Sequence, residues 1–452
     1  MEQESALLIA NASLITGDGH SFAERGFVRI RRGQIVQVGE QDPDITGGEQ
    51  IIDAKGCTIV PGIINAHAHG CVAGPSMPSG SAPIATTDIE YFRNRHLLCG
   101  TTTLLNVCGL ALPDEIEADD GKPHALDVHV TTAHSASNLA AAMIVDGKGL
   151  SERHRQATID AMIERGAKAL GEAGGGQTLG GGAQDYRFLP AAIEAATGLR
   201  MMPGDTRALK EAVLGRHLNG HDALDDAGLA TLIRKLAIDG QISLKALREL
   251  VTQTVMPPVA VSLKGLEEIA AHSARLRLPA IFHNAAPTAD LLVRLAEIYP
   301  QARIVAGHSN HPMFTPEEAI DTAIRLRERG ATIDVSTLDC ISTRWRNNPE
   351  NLDALVERGL VDTLSTDFAG GDWDSILSAI HRMIRKKQLS APKAVALATG
   401  NVARVFPELA GDRGLIACGK RADLTICDSH NLSRVRHVLI AGKFAVYNGA
   451  II

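Results

Sequence analysis

The stretch Pro61-Gly62-Ile63-Ile64-Asn65-Ala66-His67-Ala68-His69-Gly70 decides how this chain is read. It closes a run that is apolar from Cys57 to Ile64 and ends in two histidines one residue apart. Alternate residues of a strand point to the same face, so His67 and His69 at a strand end aim two imidazoles at one point. Imidazole is the commonest metal ligand among side chains. An isolated His-x-His is more often a pair of surface histidines. Here the pair follows Pro-Gly and a buried-type strand, and further candidate ligands stand at strand ends downstream, which favours a metal site.

Outward from this segment, strand-like runs alternate with helical patterns, the signature of βα repeats. The predicted strands cover 58–65, 102–107, 127–132, 167–171, 280–283, 303–307, 332–336 and 363–366. Eight such runs point to an α/β fold, a (β/α)8 TIM-like barrel whose active site lies at the C-terminal strand ends. Both chain ends read differently. Short strands with turns between them are expected at 6–10, 26–31, 34–38, 422–427 and 437–447, giving a small β-sandwich domain built from the two ends. The expected division is 1–61 and 405–452 for that domain and 62–404 for the barrel. A helical insertion is expected at about 185–275, with patterns at 229–238 and 244–255 and a break at Pro257-Pro258. The glycine-rich segment 174–182 lacks the Gly-Lys-Ser/Thr ending of a phosphate loop and reads as a flexible or close-approach loop.

Composition narrows the function classes. The 452 residues suffice for a large barrel and a smaller domain. A net charge of -7 and 3% aromatics disfavour a nucleic-acid reader, which needs concentrated Lys/Arg or stacking rings. Arg382, Arg385, Lys386 and Lys387 read as a solvated helix face. The first residues carry no signal-peptide pattern, and no apolar run reaches membrane-spanning length. Seven scattered cysteines without Cys-x-x-Cys spacing suit reduced thiols, hence a cytoplasmic protein. Cys71, close after His69, is read as a structural thiol.

The predicted strand ends carry a consistent chemistry. Glu172, His283, His308 and Asp367 each close such a run, and with His67 and His69 they make four imidazoles and two carboxylates. Mixed nitrogen and oxygen donors suit Zn²⁺, Fe²⁺ or Mn²⁺ rather than Ca²⁺ or Mg²⁺. Six ligands exceed the need of one four-coordinate ion, so two divalent ions bridged by a carboxylate is the natural count, zinc first. Taken singly, Glu172 could serve a helix N-terminus, His283 could be a packing histidine and Asp367 could be an N-cap. Together they outweigh those readings. His311 competes with His308 and is assigned to substrate contact, as is His134 after the third strand. Lys168, four residues before Glu172, is a rival bridging group if carbamylated.

The set His67-x-His69 after Pro61-Gly62, then Glu172, His283, His308 and Asp367, resembles the metal-dependent amidohydrolase superfamily. Gly414-Leu-Ile-Ala-Cys-Gly-Lys-Arg-Ala-Asp-Leu424 is similar to that superfamily's return into its small β-sandwich, and Ala398-Thr-Gly-Asn401 to the helix before it. Within the superfamily, the segments at 166–174, 307–310 and 365–369 are similar to enamidases, which open cyclic amides. The resemblance implies His67, His69 and Asp367 on one metal, His283 and His308 on the other, and Glu172 bridging. It also implies hydrolysis of an amide C–N bond, with Asp367 as general base and then acid, and a homo-oligomer, dimer or tetramer. A small molecule is the expected partner, with neither nucleic acid nor membrane. Deamination of a small heterocycle and N-acetyl deacetylation are the alternatives. The deaminases' glutamate, three residues after the strand-five histidine, is Ala286 here.

Overall fold

The structure is a computed structural model that describes residues 6–40, 42–45, 47–117, 123–175, 179, 182–343, 346–367 and 376–452. Eight parallel strands form a nearly closed barrel. In chain order they are Ile63–Ala68, Thr101–Asn106, Asp127–Thr132, Ala169–Ala173, Pro279–His283, Arg303–Gly307, Thr332–Ser336 and Thr363–Ser365, and each pairs with the next. The seam between the last and the first is drawn together by polar groups. The Asp367 amide donates to the His67 carbonyl at 2.9 Å, and the Asn65 carboxamide donates to Thr366 Oγ1 at 2.8 Å. Polar Asn65 inside an apolar strand is thereby explained, since it substitutes for missing ladder bonds.

A second, mainly antiparallel sheet takes strands from both chain ends, including Leu7–Ile15, Phe22–Arg31 and Gln34–Gly39 from the start and Leu424–Asp428, Asn431–Ile440 and Lys443–Tyr447 from the end. It folds over on itself where Gln34 bridges Arg421, so the α/β barrel with a β-sandwich expected from the sequence is the observed architecture. Buried Arg413 fastens sandwich to barrel. It pairs with Asp127 at the start of the third barrel strand and lies 3.6 Å from Asp423 beside Leu424–Asp428.

The run predicted as one strand over 58–65 is two. Cys57–Pro61 pairs with Leu424–Asp428 in the sandwich, whereas Ile63–Ala68 opens the barrel. Gly62 is the joint. A Cβ there would lie 2.3 Å from Thr102 Oγ1, so only glycine lets the chain pass between the two sheets. A single apolar pattern could not reveal the change of sheet. The run predicted over 437–447 also divides, at Ala441-Gly442, both with positive φ, into a tight hairpin.

Between the fourth and fifth barrel strands lie the helices Leu189–Thr197, Pro203–Leu214, Asp226–Lys235 and Leu244–Leu276. The break expected at Pro257-Pro258 does not occur, and one 33-residue helix runs through both prolines. Its buried stripe of Leu247, Val251, Val255, Val259 and Leu266 continues across them, and this burial outweighs the roughly 3 kcal/mol cost of each interior proline. The Gln184 carboxamide adds a hydrogen bond to the Val255 carbonyl at 3.3 Å. Among the described residues, no helix is long and apolar enough to cross a membrane.

The barrel interior has a floor. Ile64, Leu105, Ala169, Ile281 and Val305 pack with Val402, Phe406 and Leu409 from the helices Gly400–Val405 and Pro407–Ala410. Ile281 and Val305 precede His283 and Gly307 by two residues. The apolar layer therefore lies about 6–7 Å below the strand ends that carry the polar groups.

Candidate metal centre

Glu172 is the hub of the site. It is 3% exposed, and its two carboxylate oxygens face different partners. Oε1 lies 3.3 Å from His283 Nδ1 and 3.1 Å from His308 Nε2. Oε2 lies 3.5 Å from His69 Nε2 and 3.7 Å from His67 Nε2. Asp367 Oδ1 faces the same two nitrogens, at 3.2 Å from His69 and 3.4 Å from His67. His67, His69 and Glu172 form one potential ion-holding group, and Glu172, His283 and His308 a second.

Local structure delivers each side chain. His67 lies in the first barrel strand and His283 ends the fifth, whose final carbonyl is held by Thr288 Oγ1 at 2.7 Å. Glu172 lies inside the fourth strand, which runs Ala169–Ala173 rather than over the predicted 167–171. The backbone returns tightly over its carboxylate, for a Cβ on Gly175 would fall 1.9 Å from Oε2. The glycine-rich segment read as a loop falls largely outside the described residues. His308 and Asp367 both sit at positive φ, 37° and 51°. That conformation costs a non-glycine residue about 1–3 kcal/mol and concentrates at functional positions. It turns both side chains inward just past their strands.

The distances fit ion ligation better than hydrogen bonding. Donors each about 2.0–2.1 Å from one tetrahedral ion stand about 3.3 Å apart, close to the separations between His67, His69 and Asp367. His67 Nε2, which faces both Glu172 and Asp367, is buried without a hydrogen-bond partner among the described residues. Such a group is costly to leave unsatisfied. Electrostatics point the same way. Burial opposes ionisation of Glu172, but the bonds from His283 and His308 and the charge of nearby His67 hold its carboxyl well below the usual range. Burial likewise opposes a charged His308, yet Glu172, Asp339 and Asp367 raise it to about 10. His67 is raised for similar reasons, whereas burial and His308 push His283 down. The pocket demands positive charge, which protons or divalent cations can supply.

His311 adjoins this cluster, its ring centroid 5.4 Å from that of His283 and 5.6 Å from that of His308. Burial, then the neighbouring imidazoles, hold it well below its ordinary pKa. Its Nδ1 accepts from the Met313 amide at 3.1 Å, so the neutral ring carries its hydrogen on Nε2. His134 follows the third barrel strand. Its Nδ1 pairs with Thr132 Oγ1 at 3.0 Å, and among the described residues no hydrogen bond or ring contact joins it to the four imidazoles. Lys168 precedes the fourth strand, about 13 Å of extended chain from Glu172, which removes it as a bridge.

Two carboxylates escape a sequence reading. Asp339 Oδ2 lies 3.4 Å from His308 Nδ1, and burial raises its carboxyl to about 7. Asp334 Oδ2 lies 4.0 Å from His67 Nδ1 and accepts from Ser365 Oγ at 2.7 Å. Carboxylates behind ligating histidines fix ring orientation and raise basicity. For Asp334 a signal existed, a charged residue between Ile333 and Val335 in a buried strand. Asp339 sits in the short 3-10 turn Leu338–Cys340 and gives none.

The sequence profile of the Amidohydrolase family matches residues 127–445, well over half of the chain, and the protein belongs to that family. The family places it among the hydrolases of carbon–nitrogen bonds. No curated protein matches the chain by sequence. Among solved structures, β-aspartyl dipeptidase from Fervidobacterium islandicum AW-1 is similar at 17% identity, over 99% of this chain and 98% of that one, with a TM-score of 0.53. Dihydropyrimidinase from Brevibacillus agri NCHU1002 is similar at 14% identity, over 99% and 96%, with a TM-score of 0.52. A prolidase complexed with N-methylphosphonate-L-proline is similar at 16% identity, over 98% and 100%, with a TM-score of 0.59. These likenesses concern the fold.

Proposed function

We propose that the protein is a binuclear metal-dependent hydrolase that opens the amide bond of a cyclic substrate, a lactam, imide or ureide. The supporting observation is Glu172, which divides its two oxygens between His67 with His69 and His283 with His308. His67, His69 and Asp367 would hold one divalent ion, His283 and His308 would hold the other, and Glu172 would serve both; zinc is favoured, with iron or manganese as alternatives. Ions bound there would polarise a carbonyl and bring the ionisation of water towards neutrality.

The chain's own residues do the rest. Asp367 is the proton carrier. Burial opposes its ionisation, but His69, His308 and His67 keep its carboxyl below the ordinary value, so it is an acceptor at neutral pH. At 19% side-chain exposure it is the least buried of the six ligands. It takes a proton from the attacking water and returns it to the leaving nitrogen. His311 donates from Nε2 to the carbonyl oxygen as charge develops there. Asp339 and Asp334 orient His308 and His67. Ala286, where a deaminase would carry its glutamate, argues for amide hydrolysis. The cyclic preference rests on the resemblance to ring-opening relatives.

The test is elemental analysis of protein made without chelators, followed by a screen of lactams, imides and ureides. Close to two ions per chain and turnover of one of these classes is the expected result. Asp367→Asn should lower turnover by about 10²–10⁴-fold while most metal stays bound. Retained activity refutes the role given to Asp367, and a metal-free protein after reconstitution refutes the whole reading.

A further inference from the structure

We propose that Arg207 anchors a carboxylate of the substrate, so that the molecule cleaved at the metal centre is an anionic amide. This rests on the hydrolase reading above and specifies its substrate class.

Arg207 belongs to the helix Pro203–Leu214, one of those between the fourth and fifth barrel strands. It lines a cleft of about 520 Å³ together with Glu211, Arg216, His311 and Phe314. His311 lines this cleft and is also in ring contact with His283 and His308. A ligand whose carbonyl meets His311 therefore extends towards Arg207.

The two arginines of the cleft differ in their free donors. Arg216 is committed. Its terminal nitrogens form a fork onto both oxygens of Glu318 at 2.7 Å, one also reaches the Met313 carbonyl at 3.0 Å, and its Nε reaches Asp222 at 3.1 Å. Arg207 uses only Nε, which donates to Asp185 Oδ2 at 2.7 Å. Among the described residues, no hydrogen bond engages its two terminal nitrogens, and its side chain is 54% exposed. Asp185 is 2% exposed and also accepts from the buried Lys210 Nζ at 2.6 Å. One buried carboxylate thus faces two cations, so Asp185 alone does not neutralise Arg207. The Nε bond also fixes the guanidinium plane, so the outward edge is a preset fork for a carboxylate. Glu211, one turn further on, makes no hydrogen bond to Arg207, and the guanidinium is not consumed by it.

The experiment uses the metal-loaded full chain and a panel of lactams, imides and ureides. Each bears a side-chain carboxylate and is paired with its carboxamide counterpart. Binding is read by calorimetry and turnover separately. Wild type should prefer the carboxylate members by roughly ten- to a hundredfold in Kd, as expected for charge-assisted hydrogen bonds. Arg207→Gln should erase that preference, with the loss of affinity falling mainly on the carboxylate members, and Arg207→Lys should restore part of it. Thermal midpoints of the variants, with Lys210 still paired to Asp185, report whether the fold is intact. No preference in wild type, no binding of any pair, or a preference that survives Arg207→Gln overturns the anchor. Rescue of Arg207→Gln by Glu211→Gln also overturns it, because the arginine would then serve only to neutralise Glu211. Preferred binding without turnover of any pair supports the anchor and refutes the hydrolase reading instead. Turnover without preference does the reverse.

Discussion

Replacing Glu172 by glutamine keeps the shape of the hub and removes its charge. In the native pocket each carboxylate oxygen stands 3.1–3.7 Å from the ring nitrogens that would share an ion with it. Two unit charges at about 3.4 Å interact by about 5 kcal/mol at an effective dielectric constant of 20. Part of this is offset, because the buried carboxylate no longer bears its own desolvation cost of several kcal/mol, which divides between the two ions and leaves about 1–2 kcal/mol of relief for each. A net loss of about 3–4 kcal/mol per ion remains, a weakening of roughly 10²–10³-fold. The assay is a competition titration of zinc between the protein and a chelator of known affinity, with metal per chain counted after dialysis. Wild type should show two ions, and Glu172→Gln one or fewer at the same free zinc. The effect should fall on both groups of ligands, since one oxygen serves each. If Glu172→Gln holds two ions with unchanged affinity, the shared-carboxylate argument fails, however little activity remains.

Other perturbations probe the surroundings. Asp339→Asn, behind His308, should weaken metal binding about 10–100-fold without changing the count of ions, measured by the same competition. Gly62→Ala should destabilise the chain by about 1–3 kcal/mol through overpacking against Thr102; adding Thr102→Ala should recover part of the lost urea midpoint, and purely additive losses would contradict the steric account. Glu318 gives a pH test. Its bond from Arg216, against some opposing burial, lowers its carboxyl to about 2 from 4.5. A depressed folded-state pKa contributes stability that is present above about pH 4.5 and is lost as pH falls towards about 2. Both side chains are partly exposed, so screening limits the effect to about 1 kcal/mol. The gap in urea midpoint between wild type and Glu318→Gln should be largest near pH 6 and narrow below about pH 4.5. A gap independent of pH would show that packing, not charge, is lost.

The barrel was legible because its strands are short, apolar and end in chemistry-bearing residues. Asp127–Thr132, Arg303–Gly307 and Thr332–Ser336 have the bounds that pattern alone predicts. The departures have one physical source, which is that tertiary contacts act where periodicity is silent. Gly62 changes sheets inside a continuous apolar run, and nothing in that run marks the change except the glycine and the proline before it. The prolines at 257 and 258 carry a strong local signal for a break. A helical stripe buried on both sides of them overrides it.

For the site the division is similar but follows distance from the strand ends. Residues that close a strand, such as His283, or stand inside one, such as His67, inherit their direction from a period of two, so sequence alone points them at a common centre. His308 and Asp367 do not follow that period. Their positive φ values turn the side chains inward after the ladder has ended. Sequence found them only because a chemically suitable residue type stood near the right place. Asp339 and Arg207 lie further out, on a short 3-10 turn and on a helix between strands, where no period relates them to the barrel axis. Their relation to the site is fixed by what holds them, Ser336 Oγ at 2.9 Å for Asp339 and the buried Asp185 carboxylate for Arg207. The directions of His67 and His283 are therefore written in the strand pattern. The groups that would choose the substrate are written in contacts between helices and loops, where one chain can differ from its relatives without disturbing the barrel.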